Sequence, residues 1–204
     1  DQPVIDHLSD VTLMYSDLQG FTEWCSTQNP MEVYRVLNKV YSAFDKHIEP
    51  SGVYKVDTIG DAFVVVAGLE GYKSKVDHAM AMVMFAFRML FELEKIKASE
   101  GLKFEMRIGM HTGPAIGSVI GQKKPRYLMW GKTPLIANEL ESLGVPGKIL
   151  VSSTTFNRLS KKRLRSKHLK YEYFKPVSLV TTSKIEEIET YILDMDSISA
   201  YTDL

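Results

Sequence analysis

Two long helix-period stretches, each followed by strand-period runs lying close together in the chain, constrain this 204-residue sequence more than any other feature. An apolar run at 11–15 ends in Ser16-Asp17 and predicts a buried strand, which Gly20 breaks. After Asn29-Pro30, the residues Met31, Val33, Tyr34, Leu37, Val40, Tyr41 and Phe44 recur as one face of an amphipathic helix does, reaching to about residue 48. Residues 53–59 and 62–67 flank Gly60-Asp61 closely enough to predict a hairpin. A second helix is predicted over 73–98, with Val76, Met80, Val83, Met84, Phe87, Leu90, Phe91 and Leu93 as its buried stripe and Gly101 as its stop.

Residues 104–111 alternate apolar with polar, and 115–120 follow Thr112-Gly113-Pro114, which predicts another hairpin. Beyond it the pattern predicts a strand at 127–130, a helix at 134–143, a strand at 148–151, a Ser152-capped helix to 159, and strands at 170–174 and 189–193. The order strand, helix, strand, strand, helix, strand, with additions after it, predicts an α+β fold with a ferredoxin-like core: an antiparallel sheet with helices packed on it. No Pro-rich or low-complexity linker divides residues 1–204, so one domain is expected.

Composition narrows the function. Hydrophobic residues make up 45% of the chain, which excludes a disordered segment. Lys plus Arg and Asp plus Glu balance at 25 each, leaving no long-range field to gather nucleic acid, so none is expected as a partner. The single cysteine, Cys25, permits neither an internal disulfide nor a cysteine zinc site and suits a reducing compartment. The apolar run at 79–87 is too short to cross a bilayer and is closed by Arg88, and no signal peptide is visible. The first residue is Asp rather than Met, so a fragment of a longer chain is expected, on the cytoplasmic face, whose parent is soluble or membrane-tethered.

The residues best suited to chemistry are two acids at predicted strand ends, Asp17 in Tyr15-Ser16-Asp17-Leu18-Gln19-Gly20-Phe21-Thr22 and Asp61 in Thr58-Ile59-Gly60-Asp61-Ala62-Phe63. Two carboxylates converging at one edge of a sheet can bind a pair of hard cations roughly 3.5–4 Å apart, the clamp that phosphoryl-transfer sites use. Between Asp17 and the first helix, Gly20 permits close backbone approach, helix-start amides offer donors for phosphate oxygens, and Thr22 is a candidate cap.

These segments, together with Tyr54-Lys55-Val56-Asp57 leading into Thr58, Met106-Arg107-Ile108-Gly109-Met110-His111-Thr112-Gly113 and Pro125-Arg126-Tyr127, resemble the class III nucleotide cyclase catalytic domain, in family order to about Thr155. The resemblance implies head-to-tail dimers with active sites at the interface, and conversion of a nucleoside triphosphate to a 3′,5′-cyclic monophosphate and pyrophosphate. It implies that Asp17, Asp61 and the Leu18 carbonyl bind two Mg²⁺ or Mn²⁺ ions, that Gln19, Gly20, Phe21 and Thr22 cradle phosphates through backbone amides, and that Arg107 contacts the triphosphate. The permanent charge and planar fork of arginine suit that last role.

Where self-sufficient members of the family carry a base-selecting side chain, a ribose-orienting asparagine and a transition-state arginine, this chain holds Leu128, Leu135 and Glu139. Leucine offers no hydrogen bond, and a glutamate brings negative charge where positive charge is needed. The segment from Leu135 through Ser142 instead resembles the metal-donating half of heterodimeric cyclases, soluble guanylyl cyclase α subunits among them. The resemblance therefore implies a complementary cyclase domain as partner, supplied by another chain or by the same polypeptide.

Asp57 stands where guanylyl cyclases carry a glutamate, which favours GTP, whereas Trp130-Gly131-Lys132-Thr133 resembles adenylyl cyclase halves, which keeps ATP open. A regulatory pseudo-cyclase without catalysis of its own is the other alternative, and retention of both aspartates argues against it. A different palm-like two-metal enzyme fits the Gly60-Asp61 hairpin but not the other blocks. Four further features have structural readings. The basic stretch 161–170 reads as a solvated helix end, Cys25 as a small buried hydrophobe, His111 as structural, and the methionines at 80, 82, 84 and 89 as core or dimer-face fillers.

Overall fold

The computed structural model describes residues 5–72, 76–161, 173–180 and 188–194. A mixed sheet of eight strands carries the fold: β1 (Ile5–Gln19), β2 (Val53–Ile59), β3 (Ala62–Ala67), β4 (Glu105–Ile120), β5 (Arg126–Trp130), β6 (Lys148–Ser152), β7 (Phe174–Val180) and β8 (Ile188–Asp194). Their order is β2-β3-β1-β4-β6-β8-β7, with β5 paired to β4 beside that path. All pairings are antiparallel except β4 with β6.

The helices are α1 (Phe21–Thr27), α2 (Pro30–Asp45), α3 (Ile48–Ser51), α4 (His78–Glu100), α5 (Lys132–Ser142) and α6 (Ser153–Lys161). α2 and α4 bury one face of the sheet. Met14, Leu18, Phe63, Val65, Met106 and Ile108 meet Val36, Val40, Phe44, Met82, Phe85 and Met89 in the main core. Alternation then sends the intervening residues of the same strands to the opposite face, where Val11, Leu13, Val64, Val66 and Ala115 meet Ala137 of α5. Both faces of β1 are therefore covered, which explains its nearly unbroken apolar run.

Local chemistry sets the helix ends. The Asn29 side chain accepts from Glu32 N–H at 2.9 Å with Pro30 in the first turn, and the Asp77 side chain accepts from Ala79 N–H at 3.1 Å. Ser152 Oγ accepts from Thr155 N–H at 3.3 Å, the cap expected there.

Several expectations need correction. The hairpin predicted between 104–111 and 115–120 is one continuous 16-residue strand, β4. Register against β1 holds from Gln19↔Glu105 through Val11↔Gly113 and resumes at Leu8↔Ala115. The irregularity between Leu8 and Val11 absorbs Pro114, which tolerates a strand only where its missing N–H is not needed. The first strand extends well beyond 11–15 at both ends because β4 pairs along that length. The helix expected to reach 48 stops at Asp45 and resumes as α3, and the one expected from 73 begins at His78. Thr22 is no cap: it lies inside α1, whose N-cap is Gly20 with no side-chain cap bond. The last strand pair begins at Phe174, and residues 170–172 lie outside the described residues, as does the basic stretch beyond Lys161.

Candidate active site

Asp17 shares the parity of Leu13 and Tyr15, so it emerges on the sheet face that α5 covers, near the end of β1. Its direct cross-strand partner on β4 is Arg107, and the guanidinium Nη2 lies 3.1 Å from Asp17 Oδ2. Asp61 follows Gly60 in the tight turn joining β2 to β3, and β3 lies beside β1 with Ser16 opposite Phe63. The two aspartates therefore meet at one end of the sheet, Asp17 on the central strand β1 and Asp61 in the β2–β3 turn. They come close enough for the charge of Asp17 to act on Asp61. Asp61 is half-buried and its pKa is raised, first by burial, then by the Asp17 charge and a hydrogen bond to Asp17, with Arg107 pulling the other way.

α5 supplies a third acid, which the sequence reading missed. Glu141 is 7% exposed, and its Oε1 lies 2.9 Å from Arg107 Nη2. Burial raises its pKa while Arg107 opposes the rise. Gly109 makes this approach possible, because a Cβ there would stand 2.0 Å from Glu141 N and 2.5 Å from the Ala137 carbonyl. α5 thus rests directly on the β4 backbone and carries Glu141 down to Arg107. The available signal was Glu141 falling one helical turn after Ala137, on the buried face. Arg107 also donates from Nη1 to the Ser142 carbonyl at 3.3 Å. Its Nε and Glu141 Oε1 are buried without an aligned hydrogen-bond partner among the described residues.

The segment after Asp17 turns on Gly20, whose φ of +87° lies in the left-handed region. Leu18 is buried opposite Met106, while Gln19 and Gly20 are exposed. Phe21 is anchored in an aromatic cluster, 5.6 Å from Trp24 and 5.4 Å from Phe104 between ring centroids. Thr22 is exposed. The first helical bond of α1 runs from Trp24 N–H to the Gly20 carbonyl at 3.0 Å, so the amides of 21–23 precede the ladder.

The residue set suits hard cations. Among the described residues no group of three His, Cys, Asp or Glu side chains is arranged to hold a metal. Two half-buried carboxylates fit instead the way Mg²⁺ is held, by one or two carboxylates with the remaining oxygens from substrate phosphate and water. The raised pKa of Asp61 reflects first its burial and then the like charge of Asp17, and a bound cation would offset both.

Leu128 lies half-buried on β5, Leu135 is 38% exposed on α5, and Glu139 is buried one helical turn further along. Asp57 is already satisfied: it accepts from Thr58 N–H at 2.8 Å and pairs with Arg126. His111 is buried with Nδ1 2.7 Å from Ser152 Oγ, a structural placement. Cys25 packs partly buried against the core, and burial and the Asp61 charge push its thiol pKa up, away from a reactive thiolate. Met82 and Met89 are fully buried core residues. No helix among the described residues is long and apolar enough to cross a membrane.

Residues 4–195 match the family model described as the adenylate and guanylate cyclase catalytic domain. The chain is 36% identical over 192 residues to a membrane guanylyl cyclase of Dictyostelium discoideum, covering 94% of this chain and 12% of that protein. It is 40% identical over 151 residues to the guanylate cyclase soluble subunit alpha-1 of Canis lupus familiaris, covering 74% of this chain and 22% of that subunit. It thus spans less than a quarter of the length of these curated relatives. Among solved structures, the guanylate cyclase domain of RhGC from Catenaria anguillulae in complex with GTP superposes with a TM-score of 0.80 at 28% identity, over 92% of this chain and 97% of that one.

Proposed function

Since the chain belongs to the adenylate and guanylate cyclase catalytic-domain family, we propose that it is the metal-donating half of a dimeric nucleotide cyclase converting GTP to 3′,5′-cyclic GMP and pyrophosphate. The observation that carries this reading is the convergence of Asp17, near the end of β1, with Asp61, in the turn leading into β3, the strand paired beside it. Asp17 and Asp61, with the Leu18 carbonyl, would hold two Mg²⁺ or Mn²⁺ ions. When bound, these ions supply Lewis-acid activation of the ribose 3′-hydroxyl and neutralise charge on the departing pyrophosphate.

The chain's own residues do the positioning. Arg107, tied to Asp17 and Glu141, keeps a permanent positive charge beside the carboxylates, where it meets the triphosphate. The backbone at 19–22 receives phosphate oxygens at the Gly20 turn. The new 3′-oxygen to α-phosphorus bond forms as the bond to pyrophosphate breaks, and this chain supports the phosphate side of that exchange.

Base recognition, ribose orientation and the transition-state arginine come from a complementary domain. Leu128 and Leu135 have no donor or acceptor for base or ribose, and Glu139 has the wrong sign. The arrangement supports one working site and one degenerate site per dimer. Asp57, occupied by Arg126 and the Thr58 amide, reads as a satisfied acid of the degenerate site rather than a working base contact. GTP is favoured by the identity to guanylyl cyclases of both soluble and membrane types. The reading places the chain on the cytoplasmic side, with its parent either soluble or tethered.

The test is cyclic nucleotide formation from GTP and from ATP, with Mg²⁺ or Mn²⁺, by the chain alone and mixed with a complementary cyclase domain. Product from GTP only in the mixture, lost with Asp17→Ala, is expected. Equal turnover by the chain alone overturns the division of labour, and product only from ATP overturns the substrate. Metal-dependent nucleotide binding without product in any mixture returns the regulatory reading.

A further inference from the structure

Gly60 and Asp61 alone link β2 to β3, and Gly60 has a φ of +65° with nothing within 4 Å of where a Cβ would stand. Glycine gives such a turn more backbone freedom than a residue with a Cβ would. Yet the carboxylate it carries must be held in place, since a misplacement of about 1 Å in a reacting constellation costs on the order of a hundredfold.

The restraint comes from α2. Tyr41 donates its hydroxyl hydrogen to the Gly60 carbonyl at 2.8 Å. Its ring is itself fixed, 5.5 Å from Phe63 and 6.4 Å from Phe44, while Phe44 and Phe63 meet edge to face at 5.7 Å. A second tie joins the same helix to the same hairpin. Lys55 of β2 pairs with Asp45 at 2.8 Å and lies 4.7 Å over the Phe63 ring.

We infer that Tyr41 is a positioning residue for Asp61: its hydroxyl pins the Gly60 carbonyl and so fixes the turn that aims the carboxylate at Asp17. The inference rests on Asp61 being a metal ligand, as proposed above. Burial raises the pKa of the hydroxyl, and the charges of Asp61 and Asp17 add to the rise. A phenylalanine would serve the packing as well; only the hydroxyl holds the carbonyl. The hydrophobic period that placed Tyr41 on the buried stripe of α2 gave no sign of this second task.

The test uses the full chain and two readouts that need no turnover: binding of Mn²⁺ alone, followed by electron paramagnetic resonance, and amide hydrogen exchange at residues 60–62 in EDTA. Tyr41→Phe keeps the ring and removes one hydrogen bond, so Mn²⁺ affinity is expected to fall roughly two- to tenfold, with faster exchange in the turn. Tyr34→Phe, a change on the same helix at a residue 64% exposed, is the control and should move neither readout. Unchanged Mn²⁺ affinity and exchange in Tyr41→Phe overturn the inference. Asp61→Ala separates the two ideas. If it leaves Mn²⁺ binding intact, the metal reading falls and this inference with it; if it abolishes binding while Tyr41→Phe does not weaken it, only the role of Tyr41 falls.

Discussion

Arg107 stands directly across the β1–β4 ladder from Asp17, its guanidinium 3.1 Å from the carboxylate, while the same nitrogen lies 2.9 Å from Glu141 of α5. One cation thus joins a strand acid and a helix acid. Arg107→Ala strands Glu141 as a buried carboxylate without its cation. Breaking a buried pair from one side typically costs about 3–5 kcal/mol; because Arg107 and Asp17 each keep about a quarter of their side-chain exposure, roughly 2–4 kcal/mol is expected here. Urea unfolding at neutral pH measures it. Adding Glu141→Gln to the variant should return part of the loss, because the two residues share one network.

Asp61 carries its cost only when ionised. Its folded pKa lies above the ordinary 3.8, so between those values the native state binds more protons than the unfolded state, and stability falls as pH rises through that window. The penalty grows above the unfolded pKa and is complete only above the folded one. Asp61→Asn should therefore raise the thermal midpoint in EDTA at pH 7, lose that advantage below the unfolded pKa, and abolish stabilisation by added Mn²⁺. A lower midpoint in EDTA at pH 7 would contradict the electrostatic account.

His111 works in the opposite direction. Burial lowers its pKa to about 4 from 6.5, so between those values the unfolded state binds the extra proton and stability rises with pH. The slope from this one group approaches about 1.4 kcal/mol per pH unit. His111→Gln should flatten the wild-type slope over that interval, compared by urea unfolding at several pH values. An unaltered slope would mean that His111 is not the group responsible.

Gly109 holds the helix against the sheet. With a Cβ 2.0 Å from Glu141 N, Gly109→Ala forces α5 outward. Overpacking of this kind costs about 1–3 kcal/mol. It also draws Glu141 away from Arg107, so a double-mutant cycle between Gly109→Ala and Glu141→Gln should show coupling. Additive losses would mean that α5 yields without moving its acid.

The helices α2, α4, α5 and α6, the β2–β3 hairpin and the positions of Asp17 and Asp61 were legible because they depend on local rules: apolar periodicity, Asn29-Pro30 and Gly101 as boundaries, and acids placed where apolar runs stop. The break at Gly20 and a strand through Arg107 were also legible, through short blocks of sequence. What sequence did not yield depends on partners distant in the chain. Whether Thr112-Gly113-Pro114 turns or continues is decided by the length of β1 available to pair with it, and β1 is long enough to keep β4 straight through that point. That Glu141 lies buried beside Arg107 depends on how closely α5 approaches Gly109, and that Tyr41 holds Gly60 depends on where α2 crosses the hairpin. Local propensity determined which segments are strands and helices and which acids stand at their ends. Only tertiary packing, through register and backbone approach, decided which charges share a site and what keeps them aimed at one another.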